Sequence, residues 1–197
     1  MKILGAVVGA FALLFVGLAL WAVGSYNGLV GRSENVNKAW AQVESQYQRR
    51  LDLVPNLVET VKGSAKFEKD TLTAVVDARA RVGSITVDKS VLNDPAAFKK
   101  FEDAQSGLSS ALSRLMVVVE KYPDIKSTEA FRDLSVQLEG TENRIQVARK
   151  DFNEAAQDYN TSIKVFPASL VAGFGGFKER PYFQAAAAAA TAPAVKF

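Results

Sequence analysis

The sequence contains no cysteine and no histidine among its 197 residues. A disulfide framework, a thiol nucleophile and a zinc site of the usual Cys/His kind are therefore excluded. Triads that need histidine are excluded for the same reason, and no imidazole is available as a general base near neutral pH. Only carboxylate, lysine or tyrosine chemistry remains, and no paired acid and base stands out. The sequence therefore predicts a protein that is not an enzyme and binds no cofactor.

The sequence also lacks a strong excess of charge of either sign. Its net charge is +3, from 24 basic and 21 acidic residues, and its longest basic runs are only pairs, such as Arg49-Arg50 and Lys99-Lys100. Proteins that bind nucleic acid usually concentrate basic residues on one face or in longer runs. We therefore expect no nucleic-acid partner.

The most conspicuous feature present is a long apolar run near the N-terminus. Ile3 to Val23 carries no charged side chain. As a helix rising about 1.5 Å per residue, this run spans roughly 30 Å, the thickness of the hydrocarbon core of a bilayer. A cleaved secretory signal is the alternative, but the apolar part of a signal usually has only about 7–15 residues. We predict a retained transmembrane anchor over residues 1–25, with the lipid bilayer as a partner.

The charges beside this run give an indication of its orientation. Lys2 precedes it, and Arg32 and Lys38 follow it. Because basic residues favour the cytoplasmic side, this distribution favours a single pass with the N-terminus outside and the body in the cytoplasm. A periplasmic body is the alternative.

Apolar residues after position 26 recur at steps of three and four, which is the period of an amphipathic helix. A first stripe runs from Leu29 to Tyr47. Val54-Pro55 interrupts it, and we predict a helix break or kink near 52–55, because proline lacks the backbone donor that a helix interior needs. A second stripe runs from Leu57 to Val82, followed by a loop over 83–94.

Two further helices follow the loop. Asp94-Pro95 is a strong helix start, since aspartate caps the N-terminus and proline suits the first helical position. The last stripe, from Phe131 to Phe166, keeps a heptad-like seam of the coiled-coil kind throughout. No strand pattern competes, so the sequence predicts an all-α fold: a transmembrane helix followed by an antiparallel bundle of three to four long helices over residues 26–168.

Residues 169–197 form a tail rich in glycine, alanine and apolar side chains. Such a segment often covers the edge of a core, but it could also dip into the membrane surface or pack on a neighbouring subunit. We favour contact with protein over contact with the membrane, because the aromatic residues of the tail show no clear helical face.

Polar residues cluster around the proline and along the last helix. The candidate residues are Arg49, Arg50, Asp52, Asn56, Glu59, Glu139, Glu142 and Arg144. Antiparallel packing could bring them together, either as a carboxylate site for Mg²⁺ or a peptide, or as a structural ion-pair network that fixes helix register. We favour the structural network, because buried polar groups are best attested in setting register. The prediction thus includes no catalytic, cofactor-binding or metal-ligating residue.

Several of these segments resemble the LemA family of bacterial membrane proteins. The resemblance rests on the blocks 26–30, 39–44, 49–62 and 138–145, and above all on Arg49-Arg50 followed by Pro55-Asn56-Leu57-Val58. The resemblance implies a membrane helix in the bacterial inner membrane and a helical-bundle body. It carries no catalytic or ligand residue with it.

Three functional hypotheses remain. The first is a membrane-anchored scaffold that forms homo-oligomers through helix packing, for which the pair Gly5 and Gly9 within the apolar run offers one contact surface. The second is an adaptor that recruits a membrane protein partner such as a protease or a sensor. The third, a carboxylate-dependent enzyme, is the least favoured.

Overall fold

The computed structural model describes residues 2–63, 67–85 and 89–184. Six α-helices and one short 3-10 helix account for most of them, and no β-strand occurs within these ranges. The helices are α1 (Lys2–Lys62), α2 (Lys69–Gly83), the 3-10 helix (Lys89–Asn93), α3 (Pro95–Val119), α4 (Pro123–Lys126), α5 (Glu129–Lys164) and α6 (Ala168–Gly175). The predicted all-α fold is confirmed.

Helix α1 is a single helix of 61 residues that begins in the apolar run and continues into the bundle. The most apolar window of this helix has a mean hydropathy of 2.7, and none of it is buried against the rest of the chain. By length and composition this segment can cross a membrane.

Helix α1 does not break at Pro55, so the predicted interruption near 52–55 is wrong. Proline removes the hydrogen bond to the carbonyl four residues earlier, which here belongs to Leu51. That carbonyl instead accepts a hydrogen bond of 3.2 Å from Nε of Arg79 on α2. Pro55 itself is exposed, while Val54 and Leu57 beside it are fully buried. The freed carbonyl has a new donor, and packing on both sides of the proline holds the helix together.

The second apolar stripe is divided between two helices, whereas the sequence suggested one. Helix α1 ends at Lys62, and α2 begins at Lys69. Helix α2 packs against α1 and α3, which buries Val75 and Val82 but leaves Val76 exposed. A straight continuation of α1 would have left this stripe without a packing partner. Because α2 instead folds back, its apolar side chains pack against α1 and α3. Ala65, also assigned to the stripe, lies outside the described residues.

Helix α3 begins where the sequence predicts. The carboxylate of Asp94 accepts hydrogen bonds from the backbone N–H groups of Ala96 and Ala97, at 2.9 and 3.2 Å, and Pro95 is the first helical residue. The predicted N-cap at this position is confirmed. The preceding stretch, predicted as a loop, contains the short 3-10 helix at Lys89–Asn93.

Helices α1 and α5 run antiparallel along most of their lengths. Three contacts fix their register: Arg32 with Asp158, Trp40 with Phe152, and Arg50 with Glu142. Along these contacts, one residue forward on α1 corresponds to about one residue backward on α5. The last residue of α5, Lys164, therefore lies level with residues 26–28 of α1.

The core consists of two clusters of buried side chains. The proximal cluster, nearer the apolar run, is built around aromatic residues: Trp40, Tyr47, Phe98, Phe101, Phe152, Tyr159 and Phe183. The distal cluster is mainly aliphatic: Val54, Leu57, Val61, Val75, Val82, Leu108, Leu112, Leu115, Val118, Val119 and Leu138. Helices α1, α3 and α5 pass through both.

The described part of the predicted tail, residues 169–184, packs on the bundle. Helix α6 contacts α1 and α5 and ends at Gly176, whose φ of 70° is a left-handed conformation that glycine adopts readily. An extended segment then returns along the bundle, with Phe177 against Tyr26 and Phe183 stacked on Trp40. Six extended residues cover about 20 Å, which matches the rise of α1 between Tyr26 and Trp40.

Candidate functional site

A layer of polar side chains separates the two core clusters. We call Arg50, Gln105, Ser109 and Glu142 the arginine layer. On each of α1, α3 and α5, the apolar seam has the proximal cluster on one side of this layer and the distal cluster on the other. Within the part of the chain that the structure describes, Arg50 is the buried charged residue, and Thr141 on α5 is a further buried polar residue, next to Glu142 in the chain.

Arg50 lies at the centre of this layer, and its side chain is only 2% exposed. Its Nη1 donates to Oγ of Ser109 at 2.6 Å and to Oε2 of Glu142 at 3.1 Å. Its Nη2 donates to the backbone oxygen of Gln105 at 3.2 Å and to the side-chain oxygen of the same residue. The guanidinium also lies 5.0 Å from the centre of the Tyr47 ring. One side chain thereby joins α1, α3 and α5.

The electrostatics of the layer follow from burial. Loss of water lowers the pKa of Arg50 from its ordinary value, and the nearby carboxylate of Glu142 opposes that effect. Burial raises the pKa of the Tyr47 hydroxyl, against the attraction of Arg149 and Arg50. We treat Arg50 as charged, because the arginine guanidinium is not deprotonated in proteins at neutral pH. The layer is therefore a fixed cation held by neutral oxygens and one half-exposed carboxylate.

Among the eight predicted site residues, all of which the structure describes, Arg50 and Glu142 are the pair that meets across helices, through an ion pair of 3.1 Å. Arg49, adjacent to Arg50, is exposed. Asp52 accepts from Gln48 on its own helix, and Glu59 pairs with Lys62 one turn away. Asn56, Glu139 and Arg144 are exposed, and Arg144 borders a shallow groove between α1 and α5.

Helix α3 supplies two members of the layer that the sequence reasoning missed. Gln105 is 3% exposed and occupies the seam of α3 between Phe101 and Leu108. A polar residue at steps of four and three from two apolar neighbours was the available signal. Ser109 gives no comparable signal, because serine is common on exposed helix faces.

The carboxylates of the described residues do not assemble a metal site. No group of three or more aspartate or glutamate side chains is close enough to hold an ion within those residues. Beside the arginine layer lies an open groove of about 540 Å³, whose lining includes Glu44, Tyr47 and Gln105. Its walls come from α1, α3 and the end of α2, and it is widely open to solvent.

Side chains on α5 hold the extended C-terminal segment by paired hydrogen bonds. The amide of Asn153 donates to the backbone oxygen of Phe183 and accepts from its N–H, both at 2.9 Å. Asn160, seven residues later, makes the same pair with Arg180 at 2.8 Å. The guanidinium of Arg149 lies 4.6 Å from the centre of the Phe183 ring and also pairs with Glu102. These contacts fasten the segment across the proximal cluster.

A long apolar helix that continues into an antiparallel bundle, with one buried arginine layer, defines a membrane-anchored helical-bundle protein. The class accounts for both the exposed apolar run and the buried seams. The chain belongs to the LemA family, whose family model matches residues 39–197. The resemblance seen in the sequence is thereby confirmed, and membrane anchoring is consistent with the apolar helix.

Three curated relatives illustrate the range of similarity. The chain is 32% identical over 175 residues to magnetosome protein MamQ 2 of Paramagnetospirillum magneticum, a match that covers 81% of this chain and 64% of the relative. It is 30% identical to magnetosome protein MamQ of Magnetospirillum gryphiswaldense, covering 80% and 64%. It is 24% identical to protein LemA of Metamycoplasma hominis, covering 82% and 70%. The chain thus spans about 64% of the length of the MamQ relatives.

Proposed function

We propose that this protein is a non-catalytic scaffold, anchored in the bacterial inner membrane by one pass, which self-associates and presents its helical bundle at a fixed height above the bilayer. The observation that carries the proposal is the continuity of α1 from the apolar run into the bundle. A hinge between anchor and body would let the body reorient. A single helix, packed by α5 over its part within the bundle, ties the two together.

The chemistry of the arginine layer supports a structural role. Its charged group is buried and has hydrogen-bond partners on α3 and α5, and the groove beside it is open to water. An active site usually needs groups that are free to meet a substrate, in a place from which water is excluded. The arginine layer does not satisfy the first condition, and the open groove beside it does not satisfy the second.

Self-association is supported by the apolar run itself. Gly5 and Gly9 lie on one face of α1, and a Cβ atom added at either position would meet nothing within 4 Å. Small residues at this spacing allow two membrane helices to approach closely. The open face at these glycines is therefore available to a second copy of the helix.

The mass of the detergent-extracted full chain tests the proposal. We expect a species larger than one copy by mass photometry, and a shift toward monomer in the double variant Gly5→Leu, Gly9→Leu. Gly17→Leu is the matched control, since Gly17 lies on a different face of the same helix. A wild-type protein that is a single-copy, monodisperse species would contradict the proposal. A species with a second, different protein in fixed ratio would favour the adaptor function instead.

Membrane orientation is open to a simple measurement, because the sequence has no cysteine. In this experiment, single cysteines are introduced at exposed body positions, such as Val136 and Val147, and intact cells are treated with an impermeant thiol reagent. A cytoplasmic body would be protected from the reagent. We propose a cytoplasmic body from the basic residues that follow the apolar run. Labelling of the body from outside the inner membrane would overturn that orientation while leaving the scaffold proposal intact.

A further inference from the structure

Helix α6 and the residue before its N-cap leave one apolar ridge uncovered. We call Phe166, Leu170 and Phe174 the ridge: Leu170 and Phe174 lie one turn apart on α6, Phe166 lies in the turn before it, and Leu170, Phe174 and Phe166 are 55%, 94% and 76% exposed, respectively. The other face of α6 is used, since Ala172 is 3% exposed and Val171 packs on the proximal cluster. Exposed aromatic side chains in a row usually mark a contact surface.

This ridge lies at the end of the bundle from which the apolar run of α1 emerges. The register of α1 and α5 places Lys164 level with residues 26–28, and α6 begins four residues later. The ring of Phe177, just after α6, lies 5.4 Å from the ring of Tyr26. A Cβ atom added to Gly175 would lie 3.2 Å from the same tyrosine ring. Helix α6 is therefore beside α1 three residues after the apolar run ends at Val23.

The exposure profile of α1 agrees with this placement. Among the residues of α1 whose burial is described, Ala22 and Ser25 are the first that are partly buried, and Leu29 is the first that is fully buried. The bundle thus begins at the last residues of the apolar run. A bilayer that accommodates Ile3 to Val23 must have its interface at the level of α6.

We propose that the ridge of Phe166, Leu170 and Phe174 inserts into the lipid interface beside α1, as a second contact between the protein and the bilayer that it spans. Aromatic and aliphatic side chains are favoured at this depth, and a short apolar helix can lie in the plane of the interface. The inference rests on α1 spanning the membrane. The ridge contacts the bilayer itself and not a separate ligand.

Two observations favour lipid over a second copy of the chain as the cover of this ridge. The anchor holds the ridge at the bilayer in every molecule, so the contact needs no encounter with a partner. Charged residues also flank the ridge in the chain: Lys164 precedes it, Glu179 follows it, and the two form an ion pair of 2.8 Å. This change from apolar to charged matches the change from acyl chains to headgroups. In the predicted tail, Phe177 and Phe183 contact other side chains of the protein. The ridge has no such cover among the described residues, and we assign it to the membrane.

The depth of a label on the ridge tests the inference. The full-length chain with Leu170→Cys would be labelled with an environment-sensitive dye and reconstituted in phosphatidylcholine vesicles that contain lipids spin-labelled at a shallow position. Matched labels at Val23→Cys and Val136→Cys serve as controls, the first within the span and the second 68% exposed on the bundle. We expect the fluorescence at Leu170→Cys to shift to the blue and to be quenched nearly as much as at Val23→Cys. The label at Val136→Cys should show neither effect.

The controls separate the possible failures. If the label at Val23→Cys is not quenched, α1 does not span the bilayer and the proposed function fails together with the inference. If Val23→Cys is quenched but Leu170→Cys is not, the anchor holds and the ridge inference alone is overturned. Cross-linking of Leu170→Cys between copies, with no lipid quenching, would also overturn it in favour of a protein contact.

A second measurement addresses the nature of the contact. Exchange of both ring residues, Phe166→Ser and Phe174→Ser, should reduce the quenching at Leu170→Cys while leaving that at Val23→Cys unchanged. The contact should persist in high salt, because apolar insertion is not screened by ions. Loss of quenching in high salt would show an electrostatic surface contact and would contradict insertion.

Discussion

The proximal and distal halves of the bundle differ in the residue types that form their cores. The proximal cluster stacks the rings of Trp40, Phe98, Phe152 and Phe183 with centroid distances between 4.8 and 6.1 Å. The distal cluster consists mostly of valine and leucine. Aromatic rings bury more area per residue and pair with defined geometry. The half nearer the apolar run of α1 is therefore the one in which each core side chain contributes more.

The arginine layer between the two halves explains how three helices keep one register. An apolar seam alone tolerates a shift by one turn, because another aliphatic side chain then fills the gap. Such a shift would leave Arg50 buried among apolar groups, without Gln105, Ser109 and Glu142, at high cost in free energy. The two clusters thus supply the apolar contacts, and we expect the layer to favour one alignment of the helices.

The largest effect is expected from the centre of the proximal cluster. Trp40→Ala should lower the free energy of unfolding by about 3–5 kcal/mol, because it leaves a large cavity among four aromatic rings. Far-ultraviolet circular dichroism during urea unfolding in detergent measures the change. Trp21→Ala, on the exposed apolar run, is the matched control and should leave the midpoint unchanged.

The same measurement shows whether the two halves unfold together. Leu115→Ala in the distal cluster should cost about 2–5 kcal/mol. Because α1, α3 and α5 pass through both clusters, Trp40 fluorescence in a Trp21→Phe background should report the same shift as circular dichroism. Separate midpoints would show that the arginine layer divides the bundle into independent units.

The next effect concerns the layer itself. Arg50→Ala should cost about 2–4 kcal/mol, somewhat less than the loss of a fully buried pair, because the Glu142 side chain is 42% exposed and can rehydrate. Arg49→Ala, one residue away and exposed, should change stability by less than about 0.5 kcal/mol. Equal midpoints for the two variants would refute the role assigned to the layer.

A smaller effect is expected in the distal half, where α2 supports α1. Arg79→Ala should cost about 0.5–1.5 kcal/mol, since it removes the donor to the Leu51 carbonyl. In a Pro55→Ala background the helix regains its own donor, so Arg79→Ala should have almost no effect. A double-mutant cycle by urea unfolding measures the coupling. Additive costs would mean that Arg79 does not compensate for the proline.

The smallest effect is a dependence on alkaline pH. Burial raises the pKa of Tyr47 above 10.0, so the folded protein keeps this proton where the unfolded chain has released it. Stability is therefore fully present below pH 10 and falls as the pH rises further. Tyr47→Phe should make this fall shallower, without removing it, because the pKa of Tyr159 is raised as well. Identical slopes of the urea midpoint against pH above 10 would contradict the assignment.

Much of the fold was predictable because it is written in local patterns. The steps of three and four along α3 and α5 and the Asp94-Pro95 start depend on residues within a few turns. The continuity of α1 was not predictable, because the carbonyl that Pro55 leaves free belongs to Leu51, and its donor, Arg79 on α2, is 28 residues away from Leu51 in the sequence. The turn between α1 and α2 was missed for a related reason: the apolar period continues through it, and only the packing of α2 on α1 and α3 decides where the chain reverses.

The candidate site divides in the same way. Arg50 and Glu142 stand out in the sequence as charged residues near or on an apolar stripe. That these two meet, while Asp52 and Glu139 do not, depends on the register between α1 and α5, which the aromatic contacts of Trp40 help to set. Pattern alone identified Arg50 on α1 and Glu142 on α5 but neither Gln105 nor Ser109 on α3, and three-dimensional packing brought the four together.

Because α1 is continuous, a tilt of its apolar run would also tilt the bundle. Residues 24–54 of this helix rise about 45 Å beyond the apolar run without a hinge. A transmembrane helix commonly tilts by about 20°, and a tilt of that size would carry the far end of the segment sideways by about 15 Å. Changes in bilayer thickness alter the tilt of such helices. They would thus move the distal half of the bundle sideways.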